Sequence, residues 1–70
     1  MEKMNVEITT EYIKLDQLLK FSAIVDRGSD AKEIILAGQV SVNGEVATQR
    51  GKKIRKGDVV SVRGIEIHVC

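Results

Sequence analysis

The sequence predicts an α+β fold, with two short helices packed on a small antiparallel sheet. Three observations carry this. Apolar residues recur at helical spacing in two stretches of the first half. The apolar period changes to two after Gly38. From there Asn43-Gly44 and Arg63-Gly64 divide the chain into short alternating runs, as hairpins do. Helices followed by strands, with no regular βαβ alternation, point to an antiparallel sheet covered by helices on one face.

Asn5, Val6, Glu7 and Ile8 alternate polar and apolar and suit a short strand, which Thr9 and Thr10 could end. Leu15, Leu18 and Leu19 then stand at i, i+3 and i+4, the stripe of an amphipathic helix that ends near Phe21 or Ser22. Ile24 and Val25 form an apolar patch in the connection and should dock on the core. In the turn Asp26-Arg27-Gly28-Ser29-Asp30, Ser29 or Asp30 could cap a second helix, and Asp30 with Glu33 has capping-box spacing. Ala31, Ile34 and Ile35 supply the apolar face of that helix, and Gly38 is placed to stop it in the left-handed region. Val40 and Val42 lead into Asn43-Gly44, the pair that a type I′ turn favours because both central residues need positive φ. The chain returns through Glu45-Val46-Ala47. Arg50 to Lys56 is polar, with Ile54 its single apolar residue, and Lys56-Gly57-Asp58 is a turn. Val59, Val60 and Val62 form one strand and Ile65, Ile67 and Val69 the last, joined by a tight turn at Arg63-Gly64.

Seventy residues make a single domain, 1–70, with a small core. The hydrophobic fraction of 43% is too high for a disordered tail. The core is aliphatic: Tyr12 and Phe21 are the only aromatics, and one or both should lie within it. Two rings cannot build the row of stacking platforms that grips single strands, so a nucleic-acid partner would be read by backbone and shape. Lone Cys70 excludes an intramolecular disulfide and fits a reducing compartment. The start MEKMNVEITT is mixed and acidic, unlike a signal peptide, and no apolar run approaches the ~20 residues that span a membrane. A cytoplasmic location is expected.

Net charge is +1, but its distribution is uneven. Residues 1–49 carry five bases against eight acids, a balance of −3, and residues 50–70 carry six against two, a balance of +4. Arg50, Lys52, Lys53, Arg55 and Lys56 place five bases in seven residues. Such a run suits a phosphate-binding loop, whose affinity would depend steeply on salt, or else a solvated loop without a partner. His68 alternates with Ile67 and Val69 and should face solvent, on the face that Cys70 could share. One histidine and one cysteine make no metal set, and a terminal Cys–His pair is poorly held for catalysis. No paired carboxylates, glycine-rich phosphate loop or H-E-x-x-H pattern stands out. The expectation is a non-enzyme with no cofactor and no small-molecule substrate.

Several of these residues fall into one spaced set. It runs Lys14-Leu15-Asp16, then Leu18 or Leu19, then Ala31-x-x-Ile34-Ile35-x-x-Gly38-x-Val40-x-Val42-Asn43-Gly44, then Gly57-Asp58. This set resembles the ribosomal-protein S-four RNA-binding domain, or alpha-L motif, over roughly residues 13–62. The lack of an attached domain, with Gly44-Glu45 and Arg50-Gly51-Lys52-Lys53, looks most like the stand-alone bacterial YaaA/YbcJ type. The resemblance implies binding of structured, ribosomal RNA by a monomer, with a role in ribosome assembly or translation. It implies RNA contacts from Lys14, Lys20, Arg27 and Lys32 along the helices, and from Arg50, Lys52, Lys53 and Arg55 on the loop. Helix N-termini near Lys14 and near Ser29-Asp30 could offer free N–H groups to phosphate. For Lys20 and Lys32 ordinary helix-surface charge is an equal reading. Asp16 would orient a neighbouring base or the backbone. The family commonly has Ser-Arg before the second-helix alanine. Here Arg27-Gly28 stands there, with the base one place nearer the N-terminus.

A reading from another class is a protein-interaction module that accepts a partner strand on an exposed sheet edge. The N-terminal strand or the Ile65–Val69 strand is the candidate edge.

Overall fold

The computed structural model describes residues 2–70. In chain order it contains β1 (Glu2–Val6), β2 (Ile13–Lys14), α1 (Leu15–Phe21), α2 (Gly28–Leu36) and β3 (Val40–Val42). These are followed by β4 (Glu45–Val46), β5 (Lys53–Ile54), β6 (Val59–Val62) and β7 (Ile65–Val69). The main sheet has the order β1-β7-β6-β3-β4, and β2 and β5 form a separate two-stranded ladder.

The two helices and the inner face of the main sheet bury a single cluster. Leu15, Leu18 and Leu19 from α1 and Ala31, Ile34 and Ile35 from α2 meet Val40, Val42, Val60, Val62, Ile67 and Val69. Val25 is buried in the same cluster and Ile24 packs against it, so the α1–α2 connection docks on the core as its apolar pair requires. The period-two strands put their other residues on the outer face, where Ser41 pairs with Ser61 and Ser61 with Glu66. His68 lies on that face, half-buried, with its Nε2 2.9 Å from Glu66 Oε1.

Two features differ from expectation. The first strand begins at Glu2 rather than Asn5, and it runs parallel to β7, so the sheet is mixed rather than wholly antiparallel. Beyond Val6 the pairing continues, since Cys70 N–H donates to Val6 O and Ile8 N–H to Cys70 O, both at 2.9 Å. The position of β1 also settles which strands are edges. β7 lies between β1 and β6, so Ile65–Val69 is not an edge; β1 and β4 are. Both ends of the chain alternate polar and apolar residues, but alternation does not say which strand will be covered.

Both helices end in a Schellman motif, in which the first two residues past the cap return N–H groups to the last turn. After α2, Gly38 N–H bonds Ile35 O and Gln39 N–H bonds Ile34 O, with Gly38 at φ 75. After α1, Ala23 N–H bonds Lys20 O and Ile24 N–H bonds Leu19 O, but here the left-handed residue is Ala23, at φ 63. Buried Ser22 reinforces the turn through Oγ, which donates to Leu18 O at 2.7 Å. A Cβ in the left-handed region is strained. Ala23 is exposed, so its methyl offers little packing in return. Ala23→Gly should therefore raise stability by about 0.5–1 kcal/mol, even after the greater freedom of glycine in the unfolded chain. Urea denaturation at constant m-value checks this.

Candidate nucleic-acid interface

The segment Arg50–Lys56 is carried against the start of α1 by backbone pairing. Ile13 faces Ile54 and Lys14 faces Lys53 in the β2–β5 ladder. Ile54 is fully buried and Ile13 packs on the core, so the apolar pair points inwards. The same alternation turns Lys14 and Lys53 together to the outside. Two further bonds extend the junction: Leu15 N–H donates to Lys52 O at 2.9 Å and Asp16 N–H to Arg50 O at 3.1 Å. Lys14, Arg50, Lys52 and Lys53 are thereby gathered into one basic ridge, all four exposed.

These bonds also correct an expectation. The first N–H groups of α1 are not free for phosphate, because Lys52 O and Arg50 O take two of them. Gln17 N–H donates to Asp16 Oδ1 at 2.8 Å. Asp16 therefore orients backbone, as the resemblance implied, and the ridge would act through side-chain charge.

Like charges directly opposite on a ladder repel, and Lys14 and Lys53 are so placed. Lys53 is steadied from another side: its Nζ lies 4.9 Å from the centroid of the Tyr12 ring. Tyr12 is half-buried and Phe21 is 66% exposed, so neither ring belongs to the buried core, contrary to expectation. The core is filled by aliphatic side chains, leucine and β-branched residues with Ala31 and Ala47.

Arg55 leads into the Gly57-Asp58 turn. Its N–H donates to Asp58 Oδ2 at 2.8 Å. The other Asp58 oxygen accepts from Asn43 Nδ2 at 3.1 Å, and Asn43 Oδ1 accepts from Val59 N–H at 2.9 Å. Asn43 thus has two tasks, the left-handed turn position at φ 52 and a clamp on the basic segment's far end. The Asn43-Gly44 and Gly57-Asp58 pairs of the resemblance are two halves of one contact.

The Arg55 N–H holds the Asp58 carboxyl below its ordinary 3.8. Partial burial opposes this, while the Asn43 amide and the Lys52 and Arg55 charges reinforce it. A carboxylate with a depressed folded-state pKa stabilises the fold above its unfolded-state value and loses that contribution as pH falls through the folded-state value. Stability should accordingly decline below about pH 4, and Asp58→Asn should flatten part of that decline while lowering stability at neutral pH. Denaturant titrations between about pH 2 and pH 6 read both effects.

The helical bases are more dispersed. Arg27 is the N-cap residue of α2, extended at φ −127 and ψ 151, and makes no side-chain cap bond. Ser29 and Asp30 therefore do not cap the helix; they lie inside its first turn, where Asp30 favours the dipole. The helix starts earlier than the capping-box spacing suggested because Ala31 N–H already bonds Arg27 O, at 3.2 Å. Lys20 is in the last turn of α1 and Lys32 is exposed on α2. Neither is tied to the ridge by a hydrogen bond. Among the described residues no lysine or arginine lies within ion-pair distance of a carboxylate; the one such contact is His68 with Glu66. Among them, too, no three His, Cys, Asp or Glu side chains are grouped to hold a metal ion. Among the described residues no helix is long and apolar enough to cross a membrane.

Sequence reading found the ridge bases but missed Tyr12 and the ladder that assembles them. The signal available was Ile54, a lone apolar residue in a polar run.

Comparison with known proteins agrees with this fold. The chain is 39% identical over 59 residues to the probable ribosome maturation protein RlbA of Bacillus subtilis, covering 84% of this chain and 83% of that protein. It is 37% identical over 51 residues to the RQC P-site tRNA stabilizing factor of Halalkalibacterium halodurans, covering 73% of this chain and 57% of that protein. The solution structure of YbcJ from E. coli, in which an alfaL motif involved in RNA-binding was found, matches with a TM-score of 0.69 at 33% identity. That match covers 99% of this chain and 86% of YbcJ. The family model described as S4 domain matches residues 6–70, so this chain, with its two helices on a mixed sheet, belongs to the S4 domain family.

Proposed function

We propose that the chain is a non-catalytic RNA-binding protein that recognises structured RNA, specifically ribosomal RNA, during ribosome assembly or translation in the cytoplasm. The observation that carries this reading is the ridge: four exposed bases drawn together by backbone pairing, without carboxylate partners. Phosphates along a folded RNA would supply the missing counter-charge. Lys14, Arg50, Lys52 and Lys53 form the centre of the surface, Arg55 continues it, and Arg27, Lys20 and Lys32 extend it over the helices. Such contacts fix position and register, so discrimination would rest on RNA shape. The names of RlbA, the RQC factor and YbcJ, with their ribosome, tRNA and RNA associations, support the same direction. A monomer suffices, since the ridge is built within one chain.

The Lys14–Lys53 repulsion gives a test that separates binding from stability. In Lys14→Glu an opposite-charge pair replaces a like-charge pair across the ladder. Stability should rise by about 0.5–1 kcal/mol. Affinity for ribosomal RNA should fall at least tenfold, because one attractive phosphate contact becomes repulsive. A variant that is more stable and binds RNA equally well would remove Lys14 from the interface. Co-sedimentation with ribosomal particles at low and moderate salt tests the ribosomal part. Salt-sensitive co-migration with a subunit or precursor supports it, and its absence at both salts points to another RNA.

A further inference from the structure

We infer that Tyr12 and the cleft beside it form a stacking site for one unpaired nucleotide of the bound RNA, an inference that rests on the RNA reading of the adjoining ridge. The cleft has a volume of about 500 Å³ and is lined by Thr10, Glu11, Tyr12, Ile13, Lys14 and Gln17. That is within the usual range of small-ligand sites. Three kinds of group needed for a nucleotide meet there. Lys53 Nζ covers one face of the half-buried Tyr12 ring, 4.9 Å from its centroid, and is not part of the cleft lining, so a base would stack on the ring surface that Tyr12 contributes to the cleft. Lys14, part of the cleft wall, and its ladder partner Lys53 offer positive charge to the flanking phosphates. Gln17 and Glu11 give exposed polar groups to a base edge.

The backbone that carries the ring is fixed on both sides. Thr10 Oγ1 donates to Tyr12 O at 2.8 Å, and the following residue, Ile13, enters the β2–β5 ladder. A preset backbone lowers the ordering cost of binding. Stacking tolerates any base, because each has a π-face. The site would therefore read the presence of an unpaired nucleotide next to a duplex, not its sequence. The ridge would grip the duplex phosphates and Tyr12 the first residue beyond them. The domain would then favour helix ends and junctions over uninterrupted helix.

Tyr12 is the only tyrosine and there is no tryptophan, so intrinsic fluorescence reports on this ring alone. Two labelled hairpins serve as probes, one blunt and one carrying a three-nucleotide 3′ extension, at about 50 mM salt. The extended hairpin should quench Tyr12 emission and bind about tenfold more tightly than the blunt one, by anisotropy. Tyr12→Phe should keep that preference and Tyr12→Leu should lose it, with thermal melts confirming that both variants fold. Equal salt-sensitive binding of both hairpins would overturn the stacking site and leave the phosphate ridge intact. A preference retained in Tyr12→Leu would do the same. Binding of neither hairpin would overturn both readings.

Discussion

Replacing Arg50, Lys52 and Lys53 together by glutamate is expected to lower RNA affinity about a thousandfold at 50 mM salt. The magnitude follows from counterion release. Each phosphate neutralised contributes roughly 0.7–0.9 to the slope of log affinity against log salt. Three lost contacts therefore reduce the slope by about 2–3 and cost about three decades at 50 mM salt. The fold should survive, because the three side chains are exposed and the ladder and α1 junction use their backbone, not their charge. The two measurements together are diagnostic. A variant with a native melting transition and an unchanged salt slope would show that the ridge is not where RNA binds. Under the sheet-edge reading the salt slope is small from the start, and a proline in β1 or β4 does the damage instead.

Ile54→Ala should produce the largest loss of stability among single substitutions near the site, about 3 kcal/mol. Ile54 has no exposed surface and sits opposite Ile13 in the ladder that holds the ridge. Removing three carbons there forfeits transfer free energy and leaves a cavity that a two-residue strand cannot close. A domain of this length has a total stability of roughly 4–10 kcal/mol, so the loss is a large share of it. Ile54→Val should cost only about 1 kcal/mol. The consequence for function is specific. In Ile54→Ala the ladder is the element expected to open first, and amide exchange should speed up at Ile13–Asp16 and Lys52–Ile54 ahead of the main sheet. Uniform acceleration would indicate that the small ladder and the main sheet unfold as one unit.

What the sequence made legible was what is set locally. The apolar stripes of α1 and α2, the Gly38 stop and the Asn43-Gly44 turn depend on neighbours within a few residues, and all stand where the pattern placed them. Pairings between distant segments were less legible. β2 and β5 are two residues each, too short to show any period, and they meet across almost forty positions of chain. The parallel course of β1 beside β7 was hidden for the same reason, since alternation marks a strand but not its neighbour. Arg27 displaced Ser29 and Asp30 as the cap because no side-chain bond is needed where an extended residue simply begins the helix. Hydrophobicity alone places one or both rings in the core, whereas the half-buried Tyr12 ring lies under Lys53 Nζ and Phe21 is exposed. The site residues themselves were visible as bases. Their assembly into one surface was not, because it depends on backbone bonds from Leu15 and Asp16 to a segment far along the chain.

On the proposed reading, the ridge joining the start of α1 to the β5 segment is the surface that contacts RNA. This is tested most directly by titrating the isotope-labelled protein with a ribosomal RNA hairpin and following every backbone amide by NMR. Shift changes concentrated at residues 12–17 and 50–56, with weaker changes at Lys20, Arg27 and Lys32, are the predicted result. Changes concentrated on the β1 or β4 edge, or on the outer sheet face around Ser61 and His68, would contradict it.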